Sequence, residues 1–260
     1  MSILRGFLSL ISLLTRIPIK NSYSDLEEAA RVFFMVPFIG VLEGFIASSA
    51  LILMVSAGLN PLLISIILIA LHVLVTGGIH LDGFADYSDV IGSLRRGEEA
   101  LKIIKDPRRG TFSVLSLIIG LMINYSSLQI MVSSIEIVQT AIYIMLSYVA
   151  ASEAMFIACY FGREEPYNGM ARYFTFYSKI FRNAILNIII YVFLSILLIF
   201  LQGLRTSLIM ILILPLIAGF IIAMDAERRL GFINGDVLGF SYEFVRISSL
   251  LILSLTLRPL

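Results

Sequence analysis

Apolar residues run along most of this chain, and polar ones gather in the gaps between the runs. Seven runs are long enough for membrane helices: 33–57, 61–79, 112–134, 137–161, 184–202, 206–224 and 237–257. At 1.5 Å per residue, about 20 residues cover roughly 30 Å of hydrocarbon. The intervening loops alternate in character. "AGLNP", "SSIE" and "GLR" are short and nearly uncharged, whereas the others are long and charged. The first 32 residues differ again. Arg5, Ser9, Ser12 and Arg16 recur at i, i+4, i+7 and i+11, which puts one narrow polar stripe on a helix. The segment lacks a small-x-small cleavage site, so it is expected to stay as an amphipathic helix lying at the membrane surface. An eighth, weakly hydrophobic span is the alternative. The fold expected is all-α: one polytopic helical bundle over residues 1–260, with about seven spans and an N-terminal interfacial helix.

Composition agrees. The chain is 59% hydrophobic and 14% charged, with mean hydropathy +0.97, against about half apolar and a quarter charged in soluble domains. Net charge is +1, so the placement of charge carries more information than its sum. Arg5, Arg16, Lys20 and Arg31 precede the first span. Arg95, Arg96, Lys102, Lys105, Arg108 and Arg109 fill loop 80–111, Arg163, Arg172, Lys179 and Arg182 fill 162–183, and Arg228 and Arg229 fill 225–236. Seven spans put all four segments on one side, leaving Arg205 and Arg258 opposite. The positive-inside rule then makes the N-terminus and the large loops cytoplasmic in a multi-pass cell-membrane protein. The single Cys159 excludes an internal disulfide and a multi-cysteine zinc site. There is no Walker loop and no dinucleotide fingerprint, and nucleic acid is not an expected partner.

The polar stretch "TGGIHLDGFADYSDVIGS" follows directly on the second apolar run. On a helix, Asp82, Asp86 and Asp89 fall within about 60° of arc. Unpaired carboxylates so close repel one another and raise one another's pKa. A divalent cation held by all-oxygen ligands, Mg²⁺ or alternatively Mn²⁺, relieves this. A solvated helix face is the other reading of the same residues.

Further along, "EEALKIIKDPRRGTF" predicts a short surface helix and then a Pro/Gly turn carrying Lys105, Asp106, Arg108, Arg109 and Gly110, with Thr111 as N-cap of the next span. Arginines beside a helix N-terminus suit phosphate, though flanking positive charge reads the same way. A second polar stretch, "GFINGDVLGFSYEF", puts Asp236 where the last span begins and Glu243 two turns deeper on the same face. His72 is expected to be a hydrogen-bonded packing residue. Glu43, Glu153 and Arg246 are also intramembrane, where ionisable groups are paired or functional. A phosphate-handling Mg²⁺ enzyme and a cation-coupled transporter both fit this inventory. The enzyme reading leads, because transporter charges belong at mid-membrane on two matching halves, and no second half is visible.

"GGIHLDGFADYSDVIGS" followed by "KIIKDPRRGTFSVLSL" resembles the signature of the cobalamin synthase, or adenosylcobinamide-GDP ribazoletransferase, family. The likeness continues at "FLSLISLLTRIPI", "MVPFIGVLEG", "GREEPYNGMARYF" and "GFINGDVLGFSYE", so it covers nearly the whole chain. The resemblance implies that α-ribazole, or its 5′-phosphate, displaces GMP from adenosylcobinamide-GDP in a Mg²⁺-dependent reaction that yields a cobalamin. It implies catalytic roles among His80, Asp82, Asp86 and Asp106, and together with the aspartate spacing it places metal on Asp82, Asp86 and Asp89. It implies substrate or phosphate contacts at Lys105, Arg108, Gly110, Thr111, Gly235, Asp236 and Glu243, to which the arginine-rich turn adds Arg109. Membrane lipid, a homo-oligomer and other late enzymes of the pathway are the further partners it suggests. Two departures stand out: Asn234 where the family often has Thr, and Arg246 where it tends to be acidic. An exchange of sign with Glu153 suggests a Glu153–Arg246 salt bridge, with Glu243 as the competing partner. CDP-alcohol phosphotransferases are the alternative family, but the Arg after their D-G-x-x-A is Asp86 here.

Overall fold

The computed structural model describes residues 3–19, 25–134, 136–201 and 206–256. Lys20, Arg205 and Arg258, which entered the charge-bias argument, lie outside them. Among the described residues there is no strand. Helices α1 (Ile3–Leu14) and α2 (Leu26–Arg31) precede α3 (Val36–Ser56), which a short 3₁₀ turn at Phe33–Met35 introduces. Then follow α4 (Pro61–Thr76), α5 (Ile79–Ser93), α6 (Glu98–Ile104), α7 (Thr111–Ser134), α8 (Ile137–Phe161), α9 (Met170–Ser178), α10 (Phe181–Phe200), α11 (Thr206–Arg229) and α12 (Gly235–Leu255). Six helices among the described residues are long and apolar enough to cross a membrane, and α4 with α5 makes a seventh candidate as a bent pair. The protein is therefore a polytopic helical membrane protein.

α8 is the axis of the bundle. It packs on α3, α11 and α12, and its residues are buried over nearly its whole length. Small residues make this possible: a Cβ at Gly40 of α3 would lie 2.5 Å from the Tyr148 carbonyl oxygen, so the two backbones meet almost directly. By contrast, α7, α10 and α11 leave Ile118, Ile119, Ile189, Phe193, Ile217 and Ile221 exposed. Exposed apolar faces of this kind are what a lipid solvent wets.

The largest departure from expectation concerns the second span and loop 80–111. The span stops at Thr76, and the chain turns by 93° into α5. Gly77 and Gly78 both adopt left-handed backbone, with φ +66° and +71°, a region that glycine enters without steric cost. At 16 residues, α4 is roughly 24 Å long, short of a full crossing. The first part of the stretch expected as loop, residues 80–93, belongs to the helix α5, packed on α7 and α12 with His80, Gly83, Phe84, Tyr87 and Asp89 buried. The expected surface helix is present as α6.

At the N-terminus, α1 turns Gly6, Ser9, Leu10 and Leu14 inward. Ser9, a member of the polar stripe, is fully buried. Arg5, from the same stripe, reaches Glu28 of α2 at 3.0 Å. Arg16 donates its backbone N–H to the Val75 carbonyl at 2.7 Å, and its side chain lies against Gly77. The segment thus clamps the α4–α5 bend from outside.

Candidate active site

Long connections and helix ends meet at one end of the bundle. Tyr87 of α5 donates to Asp225 of α11 at 2.8 Å, and the Gly97 N–H reaches the Arg229 carbonyl at 2.6 Å. Beside them, Ile233 donates to the Arg163 carbonyl at 2.9 Å, and Arg163 pairs with Glu227 at 2.5 Å. These bonds fasten α5, α6, α11 and the 162–169 connection around the start of α12.

Asp82 and Asp86 stand one turn apart on α5, and Arg109 bridges them, giving one guanidinium nitrogen to each carboxylate. Asp82 is the more open, with its side chain 59% exposed against 19% for Asp86. The pair lies beside Asp236 because α5 and α12 cross at glycine: a Cβ at Gly83 would sit 2.8 Å from the Asp236 carbonyl oxygen, and one at Gly239 would sit 2.9 Å from that of His80. Asn234 is the N-cap of α12. Its amide oxygen accepts from the Val237 N–H at 3.1 Å while its amide nitrogen donates to Asp236 at 2.8 Å. Thr, which the family often has here, is also a preferred N-cap. Gly235 opens the helix with open space where a Cβ would lie.

Glu165 and Tyr167, from "GREEPYNG", also border the site, and sequence reasoning gave them no role. Burial and the neighbouring Asp236 push the Glu165 carboxyl above its usual range. Lys105 lies over the Tyr167 ring, 5.1 Å from its centroid.

Several expected site residues sit elsewhere. Asp89 is buried, and both its oxygens accept backbone N–H groups, from Gly110 at 2.7 Å and from Ser113 at 2.9 Å. It caps the N-terminus of α7, the role expected of Thr111. A Cβ at Gly110 would overlap an Asp89 carboxylate oxygen, so a larger residue there displaces that carboxylate. Arg108 turns outward and holds Asp106 through two nitrogens at 2.8 and 3.0 Å. That guanidinium lowers the Asp106 carboxyl to about 2, and Asp106 stands as the ion-pair partner of Arg108 in the turn. The His80 ring is buried and stacked on Tyr242 at 4.1 Å, with Nε2 unpartnered.

Glu243 is corrected from the phosphate site to the bundle interior. It is fully buried, bonded to His72 Nε2 at 2.6 Å and to Arg246 at 2.8 and 3.1 Å. Arg246 lies 5.6 Å from the Tyr148 ring centroid, and Asn124, with its amide turned oxygen-first, accepts from its guanidinium at 2.9 and 3.2 Å. The expected Glu153–Arg246 bridge is absent. Glu153 is fully buried next to Asn187, with no hydrogen bond of ordinary geometry to either oxygen. His72 is the hydrogen-bonded packing residue it was expected to be, since its Nδ1 also meets Tyr148 at 3.2 Å.

Fold and site together define a helical membrane protein with the charge pattern of a phosphate-handling enzyme at one end of its bundle. The chain belongs to the cobalamin-5-phosphate synthase family, whose model matches residues 6–254. It is a transferase of cobalamin biosynthesis. A protein of Clostridium botulinum (strain Okra) named adenosylcobinamide-GDP ribazoletransferase is 30% identical over 255 residues, covering 97% of this chain and 98% of that one. A namesake in Clostridium acetobutylicum is 31% identical over 92% of this chain and 91% of its own. One in Rhizobium johnstonii is 37% identical over a shorter stretch, 46% of this chain and 47% of its own. No solved structure matches the chain.

Proposed function

We propose that this protein is an adenosylcobinamide-GDP ribazoletransferase acting at the cytoplasmic face of the cell membrane. The observation that carries the reading is the Asp82–Asp86 pair, bridged by Arg109 and set beside Asp236 at a glycine crossing. The named relatives and the four basic connections on one side support it.

In the proposed reaction a ring hydroxyl oxygen of the ribose, free both in α-ribazole and in its 5′-phosphate, bonds to the phosphorus that carries the cobinamide. The P–O bond to GMP breaks, and the bridging oxygen leaves with GMP. Such a transfer needs alignment and charge neutralisation more than covalent help. Arg109 and Lys105 hold the diphosphate, Arg109 exchanging its carboxylate partners for phosphate oxygens. Asp236 is the carboxylate that Arg109 does not bind, and it accepts the hydroxyl proton. Two carboxylates one turn apart, completed by substrate phosphate oxygens, fit Mg²⁺ or Mn²⁺, although no group of three His, Cys, Asp or Glu among the described residues converges tightly enough to hold a metal alone. Asp82 and Asp86 would hold the ion, which supplies charge neutralisation to the diphosphate and the departing GMP.

The test is direct. The purified protein in liposomes receives Mg²⁺, adenosylcobinamide-GDP and α-ribazole. GMP and a cobalamin form in equal amounts if the proposal holds. No GMP above a protein-free control, with the protein folded, overturns it.

A further inference from the structure

A polar cleft is lined in part by the 162–169 connection, whose other residues border the proposed site. Residues 163–169 turn Glu165 and Tyr167 toward Asp236 and Lys105. Glu164 and Asn168, the alternate positions, line a cleft of about 350 Å³ with Glu27, Arg172, Tyr173, Phe176 and Tyr177. Its wall is built, not accidental. Tyr177 donates to Glu27 at 2.9 Å, Arg31 pairs with the same carboxylate at 2.7 Å, and Arg172 donates to Asn168 at 2.8 Å. The bonds from Arg31 and Tyr177 hold the Glu27 carboxyl below its usual range.

Glu164 has no hydrogen bond or ion pair among the described residues, and Phe176 and Tyr167 are half exposed. The cleft therefore offers a free carboxylate, a guanidinium, a side-chain amide and aromatic rings. The proposed transfer step uses none of these groups.

We infer that this cleft binds the guanine base of the nucleotide portion of the substrate, with Glu164 reading the base. The inference rests on the proposed function and names a subsite for it. Guanine has two adjacent donors, the ring N–H and the amino group, which a single carboxylate accepts together. Its opposite edge has two acceptors, which match an arginine fork. Its face stacks on aromatic rings. Glu164, Arg172 and the Phe176–Tyr177 pair supply these three elements. The competing occupant, the benzimidazole of ribazole, has no N–H once glycosylated. It has nothing to give a carboxylate, and an acidic cleft disfavours it. Adenine presents an acceptor where guanine presents its ring N–H, so it meets the same obstacle.

The test is equilibrium dialysis of labelled GMP, IMP and AMP against the full-length protein in liposomes. Wild type binds GMP at least tenfold more tightly than AMP, with IMP between them because it lacks the amino group. Glu164→Gln removes most of that preference, weakening GMP by roughly 10- to 100-fold, the range for a lost charge-assisted hydrogen bond, and leaving AMP within about threefold. Phe176→Ala weakens GMP and AMP alike, as loss of a stacking face requires. Equal binding of GMP and AMP by wild type overturns the inference, and so does an undiminished GMP preference in Glu164→Gln. The proposed function fails separately: a protein that binds GMP selectively but releases none from adenosylcobinamide-GDP keeps the subsite and loses the reaction.

Discussion

Replacing Asp89 separates two roles for one carboxylate. The sequence grouped it with Asp82 and Asp86 as a metal ligand, whereas its two oxygens accept from Gly110 and Ser113 at the start of α7. A helix start leaves four backbone N–H groups without intrahelical partners, and Asp89 satisfies two of the donors there from another helix. In Asp89→Ala both are stranded in a buried place. Hydrogen bonds to a charged group contribute about 1.5–3 kcal/mol each, and N-cap replacements cost about 0.5–2 kcal/mol in total. The two overlap, so about 2–4 kcal/mol is the expected loss. Asp89→Asn keeps one accepting oxygen and turns an amide N–H₂ toward the other donor, so it loses at least half as much.

The assay has two readouts: unfolding in detergent, and the Mg²⁺ concentration that gives half-maximal GMP release. The capping role predicts a marked fall in unfolding temperature for Asp89→Ala, a smaller fall for Asp89→Asn, and an unchanged Mg²⁺ midpoint in the molecules that stay folded. Wild-type unfolding together with a Mg²⁺ midpoint raised tenfold or more would refute the reasoning and return Asp89 to the metal set.

Asp82→Asn and Asp86→Asn are each expected to lower kcat by at least about 100-fold with little change in unfolding; near-normal turnover at saturating Mg²⁺ removes that residue from the site. Arg246→Ala is expected to destabilise the fold by about 3–5 kcal/mol, because it strands the buried Glu243 carboxylate. Glu153→Gln, which removes a carboxylate that no cation among the described residues holds, should leave stability unchanged or raise it, as denaturation in detergent will report. Gly83→Ala is expected to abolish activity by forcing α5 off Asp236, and wild-type turnover in that variant would show that the crossing has slack. With Cys159 buried, Gly58→Cys should be labelled only from outside the cell and Arg172→Cys only from within; the reverse pattern inverts the orientation.

How much was legible depended on which physical signal a residue answers to. Span 137–161 matches α8 to the residue, because an apolar run bounded by polar ends has one way to sit in a membrane. Asp82, Asp86, Arg109 and Asp236, which the structure brings together, stood out in the sequence, since charge at the edge of an apolar run needs a reason. The bend was not. Leu74, Val75 and Ile79 continue the apolar character across Gly77 and Gly78, so hydropathy passes over the break. Arg108 and Arg109 could not be ordered from sequence, because adjacent residues point to different sides and only the turn decides which one reaches Asp82. Glu165 and Tyr167 lie in a connection with no periodicity to read.

Glu243 shows most clearly why a helical face alone misplaces a residue. It shares a face with Asp236, but two turns are roughly 10 Å of depth, enough to move it from the open end of the bundle into its interior. There it joins groups from several helices. His72 comes from α4, Arg246 from α12 itself, and Tyr148 from α8. The neighbouring Tyr242 donates to Glu43 of α3. A buried carboxylate left without cations is costly, so each partner is confined to positions where Glu243 is reachable. His72 lies one turn before the α4–α5 bend, and Tyr242 stacks on His80 just after it. The interior charges therefore anchor both sides of the bend against α12, and that anchoring sets where Gly83 meets Asp236. The carboxylate that looked like part of the chemistry instead fixes the register in which α5 and α12 cross, one layer beneath the groups that would touch substrate.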